Sequence, residues 1–436
     1  MPALFVYEKD LVDPTPKIPS LEGKVIFVTG DSGPVGHGLA SQPVFECTYI
    51  NEEPPLKKLV QTLEALAKPQ LLEAAGIPQG RKCISQMAKE ALVLSRSGRD
   101  MVAALAGTSH VFLVATSAYL RPSSRNDQKS EPRLTTPQGT AGLGKATILA
   151  LLAHNPLHIY FSGRSRPAAE ALIASVTPSS PSSSSSSPPP PPPPLTFVQM
   201  DLASLATIKP ALAASFAHDR LDVLVNNAGI MAVPAGLSAD GYEVQFATNH
   251  LGHAMLVRAL LPVLRRTAAL PGSDVRVVTL TSVGYQGHPR DGVSFATLRT
   301  TQAGPPFLGP WTRYGQSKLA NILFTRELAR QHPSITAVAV HPGVIGTGLV
   351  ANQGLLNRLL IHASNKLAGA PMLTPDRGCW NQVWAAAAAA RGDLVSGGFY
   401  MPVGRLADDK LDRFATDDEL AGELWRWTED VLARFD

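Results

Sequence analysis

Cysteine is nearly absent. The 436 residues hold three, Cys47, Cys83 and Cys379, odd in number and far apart. That excludes a disulfide framework and a close-spaced thiolate metal site, and it points to a reducing compartment. A surplus of one charge is missing too: 39 basic residues face 35 acidic ones, for a net charge of +4. The basic residues are scattered, with no block that would track a phosphate backbone, so nucleic acid is not an expected partner. The amino terminus makes a poor secretory leader, because Glu8, Asp10 and Asp13 follow its short apolar start. A cytoplasmic protein is the expectation. Met101–Leu120 is uncharged and long enough to span a bilayer, but Thr108, Ser109, His110, Thr116 and Ser117 lie within it. That composition argues for a buried or misplaced segment rather than a membrane span.

What is present alternates between strand-like and helix-like runs. Lys24–Thr29 reads as a first strand followed by Gly30, and Leu157–Ser162 as a second followed by Gly163-Arg164-Ser165-Arg166. Pro167–Val176 reads as a helix with proline in its first turn. Leu195–Met200 is a third strand, followed by Asp201-Leu202; Leu221–Val225 is a fourth, ending in Asn226-Asn227-Ala228-Gly229. Arg276–Leu280 runs into Thr281-Ser282, Ile335–Val340 runs into His341-Pro342-Gly343, and Gly397–Pro402 reads as a last strand near the substrate pocket. Strands alternating with helices call for a parallel sheet wound on both faces. Between them, Ser179–Pro194 is a low-complexity linker of six consecutive serines and seven consecutive prolines that builds no core. A neutral loop expansion accounts for it better than a proline-binding partner.

The chemistry concentrates in Tyr314-Gly-Gln-Ser-Lys318, at the start of a helical stretch Trp311–Gln331. Residues at i and i+4 share a helix face, so the phenol and the ammonium stand side by side. A nearby cation favours the phenolate, and a tyrosine tuned in this way exchanges protons with a carbonyl or alcohol. Taken alone, a tyrosine and a lysine at this spacing are usually a solvated helix face. Support comes from Ser282 at the carboxyl end of a strand, where open α/β sheets bind ligands, and from Asn249 in the helical stretch Phe246–His253.

Asn-Asn-Ala-Gly at 226–229, Asn249, Ser282, Tyr314-x-x-x-Lys318 and Pro342-Gly343, in this order on strand ends, resemble the short-chain dehydrogenase/reductase family. The resemblance covers residues 21–30 and 139–405. Asn249-His-Leu-Gly-His-Ala and Tyr314–Phe324 resemble its retinol-dehydrogenase-like and WW-domain-oxidoreductase-like branch, although no WW module is visible. It implies a Rossmann-like doubly wound parallel sheet of about seven strands. It also implies that Tyr314 is the general acid or base. Lys318 would lower its pKa and hold the nicotinamide ribose, Ser282 would hydrogen-bond the substrate carbonyl, and Asn249 would hold a proton-relaying water. Asn227, Ala228 and Gly229 would wall the adenosine and nicotinamide ribose. Pro342, Gly343 and Thr347 would contact the carboxamide. Asp201, with Leu202 beside it, would meet the adenine, or else cap the helix that begins near Ser204. Hydride passes directly, with no metal. Homo-oligomers are common in the family.

One part of the pattern is broken. Thr29-Gly30 is followed by Asp31-Ser32-Gly33-Pro34, with proline where the phosphate turn needs glycine. The rest of that turn occurs only at Gly139-Thr140-Ala141-Gly142-Leu143-Gly144, opening a helical run. Joining Gly30 to Gly139 restores the motif, so residues 31–138 form a large insertion in the first strand-to-helix turn. It is either a real module, with helix-forming composition over Leu56–Ile77 and Cys83–Leu105, or a segment foreign to the working protein. The split at the first glycine and the structureless composition of Ser123–Gln138 favour the second. After the second strand no acid is present to bind the 2′-hydroxyl of NAD. Arg164 and Arg166 are there instead, and a guanidinium forks onto phosphate, so NADP(H) is favoured over NAD(H). His250-x-x-His253 lacks a third zinc ligand. Leu349–Thr374 is apolar and is read as a core helix or a mobile lid, the latter implying a lipophilic carbonyl or secondary alcohol. The rival is a non-catalytic fold homologue whose cofactor turn is spoiled by the insertion and which acts, if at all, as an interaction protein.

Overall fold

The computed structural model describes residues 11–30, 102–107, 110–115, 142–177, 192–305, 308–345 and 372–436. The chain divides into two compact units, one of Met1–Val35, Thr135–Gln353 and His362–Asp436, the other of Gly36–Leu134 and Gly354–Ile361. In chain order the strands are β1 (Val25–Thr29), β2 (Val102–Gly107), β3 (His110–Ala115), β4 (His158–Gly163), β5 (Leu195–Gln199), β6 (Val223–Asn226), β7 (Arg276–Leu280), β8 (Thr336–Val340), β9 (Phe399–Met401) and β10 (Arg405–Leu406). The six principal helices are α1 (Leu143–Leu152), α2 (Arg166–Val176), α3 (Ile208–Ser215), α4 (Gly252–Ala268), α5 (Gly309–Gln331) and α6 (Asp418–Leu432).

The large unit is built on one sheet of order β5-β4-β1-β6-β7-β8-β9-β10. Seven strands are parallel; the two-residue β10 pairs antiparallel with β9 at the edge and brings the count to eight. The seven parallel strands are those read from the sequence, and β10 is too short to leave a periodic signal. Every residue of β1, β7 and β8 is buried. Successive side chains point to opposite faces. Val25 and Phe27 therefore join the core on one face, with α3, α4, α5 and α6, while Ile26 and Val28 join the other, with α1 and α2. A strand covered on both sides must be apolar throughout.

Helix starts follow local chemistry. Ser165 caps α2 by accepting from the Ala168 N–H at 3.4 Å, with proline in the first turn. Asp417 caps α6 by accepting from Glu419 and Leu420 N–H at 3.0 Å each. From β1 the chain moves through β4 and β5 to one side, then crosses to β6 on the other. The order reverses between β1 and β6, which is the crevice where such sheets bind ligands.

In the smaller unit β2 and β3 pair as an antiparallel hairpin, Val102 opposite Ala115 and Gly107 opposite His110. This corrects the helical reading of Cys83–Leu105 over its last residues: Val102–Leu105 is strand. Short apolar runs do not distinguish helix from strand by composition. Most of Met101–Leu120 is thus hairpin, and no helix among the described residues is long and apolar enough to cross a membrane. The helical reading of Leu56–Ile77, most of the Ser/Pro stretch and nearly all of Leu349–Thr374 lie outside the described residues.

Candidate active site

Thr29 ends β1 at the crevice. Its hydroxyl accepts the Asn227 and Ala228 N–H groups at 2.7 and 2.9 Å, and its carbonyl accepts Asn227 Nδ2 at 2.8 Å. Gly30 N–H donates to the Ser162 carbonyl at 2.9 Å. Gly144 lies against this corner: a Cβ there would sit 3.0 Å from Asn227 Nδ2 and 3.3 Å from Gly30 Cα. The two ends of the interrupted glycine motif therefore meet in space. Gly142, with φ of 83°, is the N-cap of α1, and Leu143 is its first residue. Gly139, Thr140 and Ala141 lie outside the described residues. Among the described residues, Asn227 Oδ1 is buried without a hydrogen-bond partner. A glycine-lined corner, a helix N-terminus and a buried polar atom without a partner among the described residues fit the phosphate and ribose end of a dinucleotide.

Beyond β4, Arg166 donates to Gln199 Oε1 at 3.1 Å, with its guanidinium 5.9 Å from the Phe197 ring centre. Gln199 Nε2 in turn donates to the Arg164 carbonyl at 3.2 Å. Arg166 thus braces the loop that presents Arg164. Asp201 accepts from the Ala203 N–H at 2.9 Å and so stiffens its own turn; Leu202 beside it is buried.

The turn after β7 carries Ser282, whose Oγ accepts from Gly284 N–H at 3.1 Å. α5 lies directly on this turn. A Cβ on Gly315 would fall 2.6 Å from the Gly287 carbonyl carbon and 2.7 Å from His288 N, so only glycine permits the approach. The adjoining Tyr314 is thereby placed on Ser282, which hydrogen-bonds its hydroxyl. Lys318 Nζ donates to the Leu280 carbonyl at 3.1 Å and stands 5.8 Å from the Tyr314 ring centre. Asn321 Nδ2 shares that carbonyl at 3.0 Å, and Thr281 Oγ1 donates to the Lys318 carbonyl at 2.7 Å.

Burial dominates the electrostatics of the pair. It pushes the Tyr314 phenol up to about 12, with Ser282 pulling it partly back. Burial brings Lys318 down to about 8. Removing a site from water penalises whichever form is charged. Tyr314 therefore holds its proton at neutral pH, beside a lysine that is still charged.

Asn249 sits in a π-helical turn, Ala247–Leu251, that leads into α4. Its Oδ1 accepts from Ile230 N–H at 2.8 Å, and its Nδ2 donates to the Ile230 carbonyl and to Ser317 Oγ, each at 2.9 Å. The Asn249 side chain is thus committed to protein. Gly229 passes so close that a Cβ would lie 3.3 Å from Asn249 Oδ1 and 3.4 Å from Lys318 Nζ. Ala228 is buried on the same wall. Pro342 and Gly343 follow β8 at the same carboxyl edge; Thr347 lies outside the described residues. His250 bonds Thr428 Oγ1 and His253 bonds Thr29 Oγ1, so the two rings serve different partners. Sequence reasoning weighed His253 only as a zinc ligand and gave Ser317 and Gly315 no role. Ser317 and Gly315 lie inside the Tyr-x-x-x-Lys motif, which was a visible signal.

Residues 138–291 match the family model described as short chain dehydrogenase. The chain is 36% identical over 313 residues to the short-chain dehydrogenase/reductase drtF of Aspergillus calidoustus, covering 68% of this chain and 92% of that one. It is 32% identical over 295 residues to retinol dehydrogenase 14 of Mus musculus, covering 66% and 82%. With polyprenol dehydrogenase of Homo sapiens the identity is 31% over 255 residues, covering 57% and 70%. Together with the sheet and the crevice, these similarities lead to one conclusion: the chain belongs to the short-chain dehydrogenase/reductase family, in its retinol-dehydrogenase-like branch, and is an oxidoreductase of CH–OH or C=O groups that uses a nicotinamide cofactor.

Proposed function

We propose that this protein interconverts a lipophilic carbonyl and its alcohol with NADP(H), using Tyr314 as proton donor and acceptor. The observation that carries the reading is the placement of Tyr314, Ser282 and Lys318 around the carboxyl end of β7, where burial raises the phenol and lowers the ammonium. The nicotinamide, when bound, supplies or takes the hydride. Ser282 hydrogen-bonds the substrate oxygen. Tyr314 gives that oxygen its proton as the carbonyl carbon is reduced, and the phenolate left behind faces the Lys318 ammonium. Lys318 and Asn227 hold the ribose, and the Gly30–Gly144 corner takes the pyrophosphate. A site whose tyrosine rests protonated favours reduction near neutral pH, and oxidation gains as pH rises.

Arg164 and the lack of an acid after β4 support NADP(H), because a guanidinium pairs with the 2′-phosphate that an acid would repel. Retinol and polyprenol, the alcohols in two relatives' names, are lipophilic and support an apolar substrate. The rival reading, a fold homologue that no longer binds cofactor, is disfavoured by the contact between Gly30 and Gly144. Fluorescence titration of NADPH and NADH into the full chain, followed by a screen of aliphatic, aromatic and isoprenoid carbonyls, tests both. Saturable NADPH binding with turnover supports the enzyme; no binding of either nucleotide overturns it.

A further inference from the structure

His253 is the second histidine of the stretch 250–253 and lies in the first turn of α4, buried to 3% exposure. Its Nδ1 is 2.9 Å from the Asn249 backbone carbonyl and its Nε2 is 3.0 Å from Thr29 Oγ1. The tautomer follows from counting protons. A backbone carbonyl only accepts, so Nδ1 carries the hydrogen. Thr29 Oγ1 already accepts two N–H groups, from Asn227 and Ala228, so its own proton is free to donate. The alternative acceptor, the Val225 carbonyl, lies at 3.4 Å, and the imidazole Nε2 is closer.

The ring thus completes an unbroken path through the protein. It runs from Thr29, at the dinucleotide corner, through His253 to Asn249, from Asn249 Nδ2 to Ser317 Oγ at 2.9 Å, and from Ser317 Oγ to the Tyr314 carbonyl at 2.7 Å. Thr29, Asn249 and Ser317 are each 0% exposed, so water does not substitute for a missing member at no cost. The π-helical turn at Ala247–Leu251 lies between the two ends of this path. The His253 imidazole holds that turn to β1, across an element boundary that no backbone ladder bridges.

We propose that His253 is a positioning residue: its neutral imidazole ties the dinucleotide corner at Thr29 to Asn249 and, through Ser317, to the helix turn that carries Tyr314. This rests on the reading of Tyr314 and Lys318 as the catalytic pair. Burial and the nearby Lys318 charge bring His253 down to about 4, consistent with a ring that stays neutral through the physiological range. Bound dinucleotide would press on one end of the path, and Tyr314 would be aligned at the other.

Two experiments test the proposal. The first needs no turnover. Imidazole 15N spectra of the full chain, with the His253 signal assigned through a His253→Gln sample, should show Nδ1 protonated and Nε2 bare, unchanged from pH 7 down to about 5.5. A ring that titrates near its ordinary value, or carries its proton on Nε2, overturns the proposal whatever the enzyme does. The second uses NADPH reduction of a carbonyl found by the screen, with Tyr314→Phe as the control for the catalytic reading. His253→Phe keeps the ring volume and removes both hydrogen bonds; we expect kcat to fall about tenfold or more while the carbonyl KM moves less than about threefold. Thr29→Val added to His253→Phe should cost less than about threefold further, because the path is already cut. Multiplying losses in the double variant, or an undiminished kcat in a folded His253→Phe protein, would reject the role. Loss of activity in His253→Phe with none in Tyr314→Phe would instead place the failure in the catalytic reading.

Discussion

The turn after β7 and the turn after β1 open onto the same crevice but are held in different ways. Ser282–Gly287 closes locally. Its serine caps its own turn, Gly284 in the turn and Gly315 on α5 let the helix lie against it, and Tyr314 and Lys318 arrive on that one helix. The corner after β1 is held from outside: Gly30 is fixed by Ser162 of β4, Thr29 by Asn227 and Ala228 after β6, and Gly144 comes up from α1. The contrast teaches that a strand end is delivered by sheet register, not by the chain that follows it. β1 pairs with β4 from Val25–His158 to Thr29–Ser162, and with β6 from Ile26–Val223 to Val28–Val225. Thr29 therefore reaches the crevice whatever occupies residues 31–138. The backbone N–H groups of the pyrophosphate turn have no such guarantee, because they belong to the loop itself.

The largest effect should come from breaking the locally closed turn's chemistry. Tyr314→Phe is expected to lower kcat about 10³-fold with NADPH affinity nearly unchanged, measured by steady-state kinetics and fluorescence titration. Lys318→Ala should lose both turnover and part of the affinity. Next comes geometry: Gly315→Val forces a Cβ into the backbone of Gly287 and His288. It should destabilise the fold by about 3 kcal/mol in urea unfolding. Gly144→Val, at the assembled corner, should instead show mainly as lost NADPH affinity.

The cofactor side is sharpened by Arg164→Ala. It should weaken NADPH binding by about tenfold to a hundredfold and leave NADH binding nearly unchanged, because one charge-assisted contact is removed. Equal losses would mean that Arg164 only supports its loop.

pH separates the two regions differently. Lys318 in the folded protein falls to about 8 from 10.5. Between those values the unfolded chain keeps a proton that the folded one has released, so stability rises with pH through that window. Reduction should fall over the same window, as the charge facing the Tyr314 phenolate is lost. Urea unfolding and initial rates measured from pH 7 to 10 should move in opposite directions, and Lys318→Met should flatten the stability trend. On the acid side His253, at about 4, refuses protons that the unfolded chain takes up below 6.5. Stability is lost as pH falls through that range.

The smallest effect tests the assembled corner itself. Deleting residues 31–138 should raise the melting temperature by a few degrees, on the order of 1 kcal/mol, and enlarge the NADPH-induced shift. A full chain that melts as high, with an equal shift, would identify the insertion as an accommodated module.

Much of this was legible in the residues. The apolar runs at Val25–Thr29, Arg276–Leu280 and Thr336–Val340 were read within a residue of where the strands lie, because a strand buried on both faces tolerates little else. The hairpin at Val102–Ala115 was not legible, since a short apolar run has no period that separates strand from helix. β10 escaped notice because two residues carry no pattern. Gly315 and Ser317 were visible as letters but silent as contacts: their roles depend on Gly287, His288 and Asn249, which lie elsewhere in the chain.

By itself, the sequence determined the alternation of strands and helices, the order of the motifs and the spacing that puts Tyr314 and Lys318 on one face of α5. These are local properties of a chain with a fixed helical and strand repeat. Only the tertiary structure decided that Gly30 and Gly144 meet and that His253 joins Thr29 to Asn249. It also decided how deeply Tyr314 and Lys318 are buried, which raises the phenol and lowers the ammonium. Those outcomes depend on distances across the fold and on how much water is removed, neither of which is written in the neighbours of a residue along the chain.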